Sequence, residues 1–147
     1  MNIKNYINGE YVNPVSDSWI DNYNPSNGEI YGQIPNSINE DVENGYKAAK
    51  NAFLSWSETS LDERSKIMSK IAQLITEKLP ELAAAEAKDN GKPLHVAKSI
   101  DIPRAADNFQ FFANAITQFA SEAHESVGYN AINFTLRQPI GVVGCIS

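Results

Sequence analysis

The chain has 147 residues, of which 42% are hydrophobic and 20% charged, with a formal net charge of −6. That length allows one domain that buries about 68–70% of its unfolded surface, and the acidic balance without a Lys/Arg run excludes a nucleic-acid binder. No stretch is long and apolar enough for a membrane span. The start, "MNIKNYINGE", lacks the apolar centre of a signal peptide, and the single cysteine, Cys145, cannot form an internal disulfide. A reducing cytoplasm is the expected compartment. "NFT" at 133–135 then matches a glycosylation acceptor by chance.

In chain order, the first third reads as short strands. "NYINGEYV" holds two β-favouring runs joined at Asn8-Gly9, a dipeptide suited to the positive φ of a tight hairpin. "SWIDNYNPSNGEIYGQIP" holds two more, broken at Asn24-Pro25 and Asn27-Gly28. Helices follow. From Asn39 to Trp56 the spacing of Val42, Tyr46, Ala49 and Phe53 predicts one buried helical face. "SLDE" from Ser60 to Glu63 is a capping-box pattern, and beyond it Ile67, Ile71, Leu74 and Ile75 form the expected core stripe.

A third helix carries Pro80 in its first turn and stops at Gly91. The fourth covers "SIDIPRAADNFQFFANA", with Ala105, Phe109, Phe112, Ile116 and Phe119 along its expected inner side. After Gly128, "AINFTLRQPIGVVGCIS" reads as two strands around Pro139. Strands, then helices, then strands predict a mixed α/β unit. The last apolar run lacks the helix that normally follows a strand of a parallel sheet, so the chain reads as cut off.

Spacing alone points to little chemistry. His95 and His124 have no partner at metal-ligand spacing. Cys145, in an apolar run without a basic neighbour, reads as a packed thiol. Gly141 and Gly144 do not make a dinucleotide fingerprint, and no P-loop is present.

Five segments change this picture. In order they are "YINGEYV", "NPSNGEI", "DVENGYKAAKNAF..W", "ELAAAEAKDNGKPL" and "RQPIGVVGCIS". Each resembles a segment of the NAD(P)-dependent aldehyde dehydrogenase superfamily, in register over essentially the whole chain. "DIPRAADNFQFFA" narrows the resemblance toward the 2-aminomuconate and 2-hydroxymuconate semialdehyde dehydrogenases. The implied fold is the N-terminal part of that family's α/β fold: short strands, four helices, a β ribbon and the first strand of a Rossmann-like sheet. Residues 1–128 would belong to the NAD-binding domain, 129–139 to the oligomerisation ribbon, and 140–147 to the truncated first strand.

The resemblance also implies roles. An intact relative attacks an aldehyde with a cysteine thiolate, passes a hydride to nicotinamide and hydrolyses the thioester. The Pro-Trp-Asn segment, the cofactor glycines, the general-base glutamate and that cysteine all lie downstream in such relatives. Cys145 is not the nucleophile, so these 147 residues alone are expected to be inactive. NAD is the implied cofactor, with Ile146 and Ser147 where the backbone approaches it.

Asp89, with the backbone carbonyls of Asn22 and Tyr23, matches the family's structural monovalent-cation site, and oxygen-only ligation suits a hard cation. Asp89 could equally close the turn with Asn90 and Gly91. Ile132, Phe134 and Leu136 give the ribbon an apolar face, and a homo-oligomer, dimer or tetramer, is the implied partner. Arg104 matches a position lining the aldehyde channel, where it could hold a substrate carboxylate. The competing reading pairs it within its helix with Asp101 or Asp107. Two further readings stay open: a betaine-aldehyde or general aliphatic aldehyde dehydrogenase, and a non-catalytic fragment that pairs with full-length subunits.

Overall fold

The computed structural model describes residues 2–146. Two antiparallel hairpins come first. Strands β1 (Asn5–Ile7) and β2 (Glu10–Val12) pair Asn5 with Val12 and Ile7 with Glu10. Asn8 and Gly9 both take positive φ, 54° and 83°, as the tight turn requires. Strands β3 (Trp19–Tyr23) and β4 (Ile30–Pro35) pair from Trp19–Pro35 to Tyr23–Ile30, with a bulge between Asn22 and Tyr23. Their loop is closed by local polar bonds. Ser26 N donates to Asn24 Oδ1 at 3.0 Å, and Gly28 N donates to the Asn24 carbonyl at 2.8 Å.

Four helical runs follow. Helix α1 is Asn39–Trp56, α2 is Leu61–Glu77 and α3 is Leu79–Asn90. The fourth is continuous but irregular: a single turn α4 (Leu94–Val96), a π-helical turn (Ala97–Asp101) and α5 (Ile102–Ile116). Ser60 caps α2 by accepting from Glu63 N at 3.2 Å. Gly91 ends α3 at φ 77°, and a Cβ there would lie 3.1 Å from Pro25 Cβ, so both conformation and space call for glycine. The π turn has a covalent cause. Pro103 lacks the N–H that would bond four residues back and its ring crowds that carbonyl. Ile102 N–H instead reaches Ala97 O, five residues back.

The core is built of small side chains. Its buried apolar residues are Ala72, Ala83, Ala97, Ala106 and Ala113. Alanines let α2, α3 and α5 approach closely, while Ser65 Oγ donates across to the Ala113 carbonyl at 2.7 Å. This corrects the expected inner faces. On α5 the packed side is Ala106 and Ala113, while Phe109 is 37% and Phe112 58% exposed. On α2, Ile67 and Leu74 keep a solvent edge around Ala72, and on α1 Val42 and Tyr46 are exposed. A 3.6-residue period marks where an apolar face lies, but burial needs an opposing element, and α1 touches chiefly β1.

Helix α1 is anchored by a group that its apolar spacing does not reveal. Asp41 is buried; it accepts from Ile38 N at 2.8 Å and from Val15 N at 3.0 Å. One carboxylate thus caps the helix and holds the segment after β2.

The C-terminal stretch departs most from expectation. Strands β5 (Ala123–Ser126) and β6 (Ala131–Phe134) form an antiparallel hairpin through a 3-10 turn at Val127–Tyr129, with Asn130 in the left-handed region. The hairpin thus begins before residue 129, and Leu136 lies outside β6. Residues 140–146, expected as a strand, are irregular. A strand exists through its pairing, and no described strand offers these residues an edge. Cys145 is exposed for the same reason, rather than packed.

Candidate functional site

The expected site residues fall into two groups. The first lies where β3 and β4 meet the end of α3. Asp89 Oδ1 accepts from Asn22 Nδ2 at 3.0 Å and from the Tyr31 hydroxyl. Asn22 Nδ2 also donates to the Tyr31 oxygen at 2.8 Å, and the Lys88 ammonium sits 4.7 Å from the centre of the Tyr31 ring. The Tyr31 bond, then the Asn22 bond, holds the Asp89 carboxyl below its ordinary pKa. The same bond raises the Tyr31 phenol, because it needs the phenol protonated and the carboxylate ionised.

Asn22 and Asp89 are thus brought together, but through the side-chain amide of Asn22. Tyr31 was not singled out by the sequence, since only the β3–β4 register puts it beside Asn22. Tyr23 is exposed and takes no part in this cluster. Both recorded bonds fall on Oδ1, so Asp89 Oδ2 has no hydrogen-bond partner among the described residues. A free carboxylate oxygen beside a strand bulge is chemically suited to a hard monovalent cation. No group of three or more His, Cys, Asp or Glu gathers among the described residues.

The second group is the start of α5. At 100° per residue, Arg104 lies about 180–200° around the helix from Ala106 and Ala113. The packed face therefore turns Arg104 outward. Asn108 and Phe111 share its side, and Phe111 stacks edge-on against Phe112, with centroids 5.2 Å apart. Arg104 makes no ion pair or side-chain hydrogen bond among the described residues. The competing pairing with Asp101 is not formed, and Asp101 Oδ2 is bound by Lys92 Nζ at 2.7 Å. Asp107 instead lines a cleft of about 220 Å³ between α2 and α5, with Gln73 and Gln110.

The cofactor residues are not assembled in this way. Ile146 is fully exposed at the end of the irregular stretch, and Ser147 lies outside the described residues. Cys145 is exposed and free. His95 and His124 are exposed and far apart in the element order. No helix among the described residues is long and apolar enough to cross a membrane.

Comparison with known proteins gives the context for this geometry. Residues 11–147 match the aldehyde dehydrogenase family. The chain is 43% identical over 145 residues to human 2-aminomuconic semialdehyde dehydrogenase, covering 99% of this chain and 29% of that protein. It is 38% identical over 149 residues to 2-hydroxymuconic semialdehyde dehydrogenase of Pseudomonas sp. (strain CF600), covering 99% and 31%. Among solved structures, an NAD-dependent aldehyde dehydrogenase from Sinorhizobium meliloti superposes with a TM-score of 0.86 at 31% identity, covering 95% of this chain and 28% of that one. The chain therefore spans under a third of the length of these relatives. The match over nearly all its residues, with the fold that accompanies it, means that the chain belongs to the aldehyde dehydrogenase family.

Proposed function

We propose that this chain forms the N-terminal portion of an NAD-dependent dehydrogenase that oxidises a carboxylated semialdehyde, of the muconic semialdehyde type, to the acid. The observation that carries this reading is Arg104: an exposed guanidinium, unpaired among the described residues, on the outer face of a helix whose opposite face is sealed by alanines. The packed face of α5 holds its backbone, so the arginine starts from a fixed base. A planar guanidinium receives a carboxylate through two parallel hydrogen bonds. Phe111 and Phe112, two turns further along α5, offer flat apolar surface to a conjugated carbon chain. The muconic relatives support the same substrate class.

NAD, when bound, would supply the hydride acceptor, a reading supported by the NAD-dependent relative. In this reading Arg104 and its neighbours bind and orient the substrate, and the thiolate step is assigned to none of the residues described. Asp89 Oδ2, with the carbonyls of Asn22 and Tyr23, is our reading for a monovalent cation that ties β3 to α3. The ribbon around residues 129–139 is our reading for homo-oligomer contact, in a cytoplasmic enzyme.

The test is Arg104→Ala in the full-length enzyme, assayed with a carboxylated semialdehyde and a neutral aldehyde of similar length. A charge-assisted hydrogen bond contributes about 1.5–3 kcal/mol, so kcat/KM should fall about 10- to 150-fold on the carboxylated substrate alone. Arg104→Lys should recover part of the loss, since a point charge cannot reproduce the fork. Equal losses on both substrates would refute the role.

A further inference from the structure

Arg104 has two carboxylates within helical reach, Asp101 three residues before it and Asp107 three residues after. Residues at that spacing are neighbours on a helix surface, and an arginine there normally leans onto one of them. In this structure it does neither. Asp107 lines the cleft against α2. Asp101 is held by Lys92, which comes from the loop after α3 and not from α5.

Lys92 is itself firmly held. Its ammonium bridges Asp101 Oδ2 at 2.7 Å and Glu86 Oε1 at 3.0 Å, with the lysine side chain only 27% exposed. Its backbone N donates to Asn90 Oδ1 at 3.0 Å, closing the loop, and Asn90 Nδ2 donates to the same Glu86 oxygen at 2.5 Å. The Asp101 and Glu86 bonds raise the Lys92 pKa, so the lysine stays charged. Asp101 is the last residue of the π turn, directly before the regular helix that carries Arg104. The loop after α3 is thereby fastened to the start of α5 at the residue that would otherwise compete for the guanidinium.

We propose that Lys92 is a positioning residue for Arg104: by binding Asp101 it removes the competing carboxylate and offsets its charge, leaving the guanidinium available to an anionic aldehyde. This rests on the reading of Arg104 as a carboxylate receptor. With Lys92 neutralised, Asp101 is free to pair with Arg104 and to repel a substrate carboxylate. Both effects weaken binding of the charged substrate and leave the chemical step alone.

The experiment uses the full-length enzyme with NAD. Lys92→Met should raise KM for a carboxylated semialdehyde about three- to tenfold, the combined scale of an intrahelical pair and one nearby exposed charge. Its kcat should stay within about twofold, and KM for a neutral aldehyde of equal length should not move. Adding Asp101→Asn to Lys92→Met should restore KM for the carboxylated substrate. A lysine that merely supports the fold would give the contrary pattern: a lower melting temperature, losses on both substrates and no repair by Asp101→Asn.

Lack of a selective KM effect, or lack of repair, overturns the proposal. If Lys92→Met does not fold, Asp101→Asn alone decides: the account requires an unchanged or lower KM for the carboxylated substrate, and a raised one contradicts it. Arg104→Ala separates the two layers. If it is selective while Lys92→Met is not, only the Lys92 proposal fails; if it is not selective, the Arg104 reading itself falls.

Discussion

Two stretches of this chain carry similar apolar chemistry and treat it differently. From Asn5 to Ile116, hairpins and helices close against one another. Their junctions are single polar groups with several partners: Asp41 at the start of α1, Asp89 at the end of α3, Lys92 before α5. From Ala123 to Ile146 the chain forms one hairpin and an irregular tail, and Ile132, Phe134, Leu136 and Ile140 are all turned to solvent. The difference shows that an apolar pattern states a requirement for a partner without naming one. Where the partner is a neighbouring helix, the pattern becomes a core; where no described element supplies one, the pattern stays a surface.

The largest effect should come from breaking the ribbon. The isolated chain should self-associate, and replacing Ile132 and Phe134 by lysine should shift it toward monomer in sedimentation velocity, with the helical melting transition unchanged. A wild-type chain that stays monomeric at high concentration would show that this surface needs no cover. Next comes a swap between the two kinds of position on α5. Ala113→Leu should cost about 1–3 kcal/mol by overpacking the α2–α5 contact, whereas Phe112→Ala, at an exposed site, should stay within about 0.5 kcal/mol in the isolated chain. Urea midpoints read both, and the reverse ranking would return Phe112 to the core. Asp41→Ala should cost about 1–2 kcal/mol through the lost cap, again read as a urea midpoint.

The smallest effect is the pH response of the Tyr31–Asp89 clasp. The folded pKa of Asp89 is lowered, so its contribution is present above the unfolded value and lost as pH falls through the folded one. That of Tyr31 is raised, so its contribution is present below the unfolded value and lost as pH rises through the folded one. Tyr31→Phe should therefore flatten the decline of the melting temperature at both the acid and the alkaline end. An unaltered pH profile would mean that the bond does not persist in solution.

The same contrast explains what was legible in the sequence. The Asn8-Gly9 turn, the Ser60 cap and the Gly91 stop are set by residues within a turn of one another, so local chemistry sufficed. Asp41 was not, because one of its donors, Val15, is 26 residues away and the hydrophobic spacing of α1 says nothing about it. The inner face of α5 is not legible from spacing because two faces of that helix are apolar, and volume alone favours the phenylalanines. Close helix approach selects Ala106 and Ala113 instead. At the candidate site, Asp89, Asn22 and Arg104 were singled out through resemblance to a family. Tyr31 and Lys92, which decide what Asp89 and Asp101 are doing, depend on register and loop path that spacing does not encode. Residues 140–146 form no strand for the reason that the hairpin is bare: no described strand offers them an edge.

The central functional claim is that this helix reads a carboxylate, and a competition within one vessel tests it most directly. The unmodified full-length enzyme is given NAD with equal concentrations, each below KM, of a carboxylated semialdehyde and a neutral aldehyde of matched length, and the two acids are quantified over time. The Arg104 account predicts that the carboxylated acid accumulates about 10- to 150-fold faster, the ratio expected of one charge-assisted pair. Equal rates, or faster oxidation of the neutral aldehyde, would contradict it.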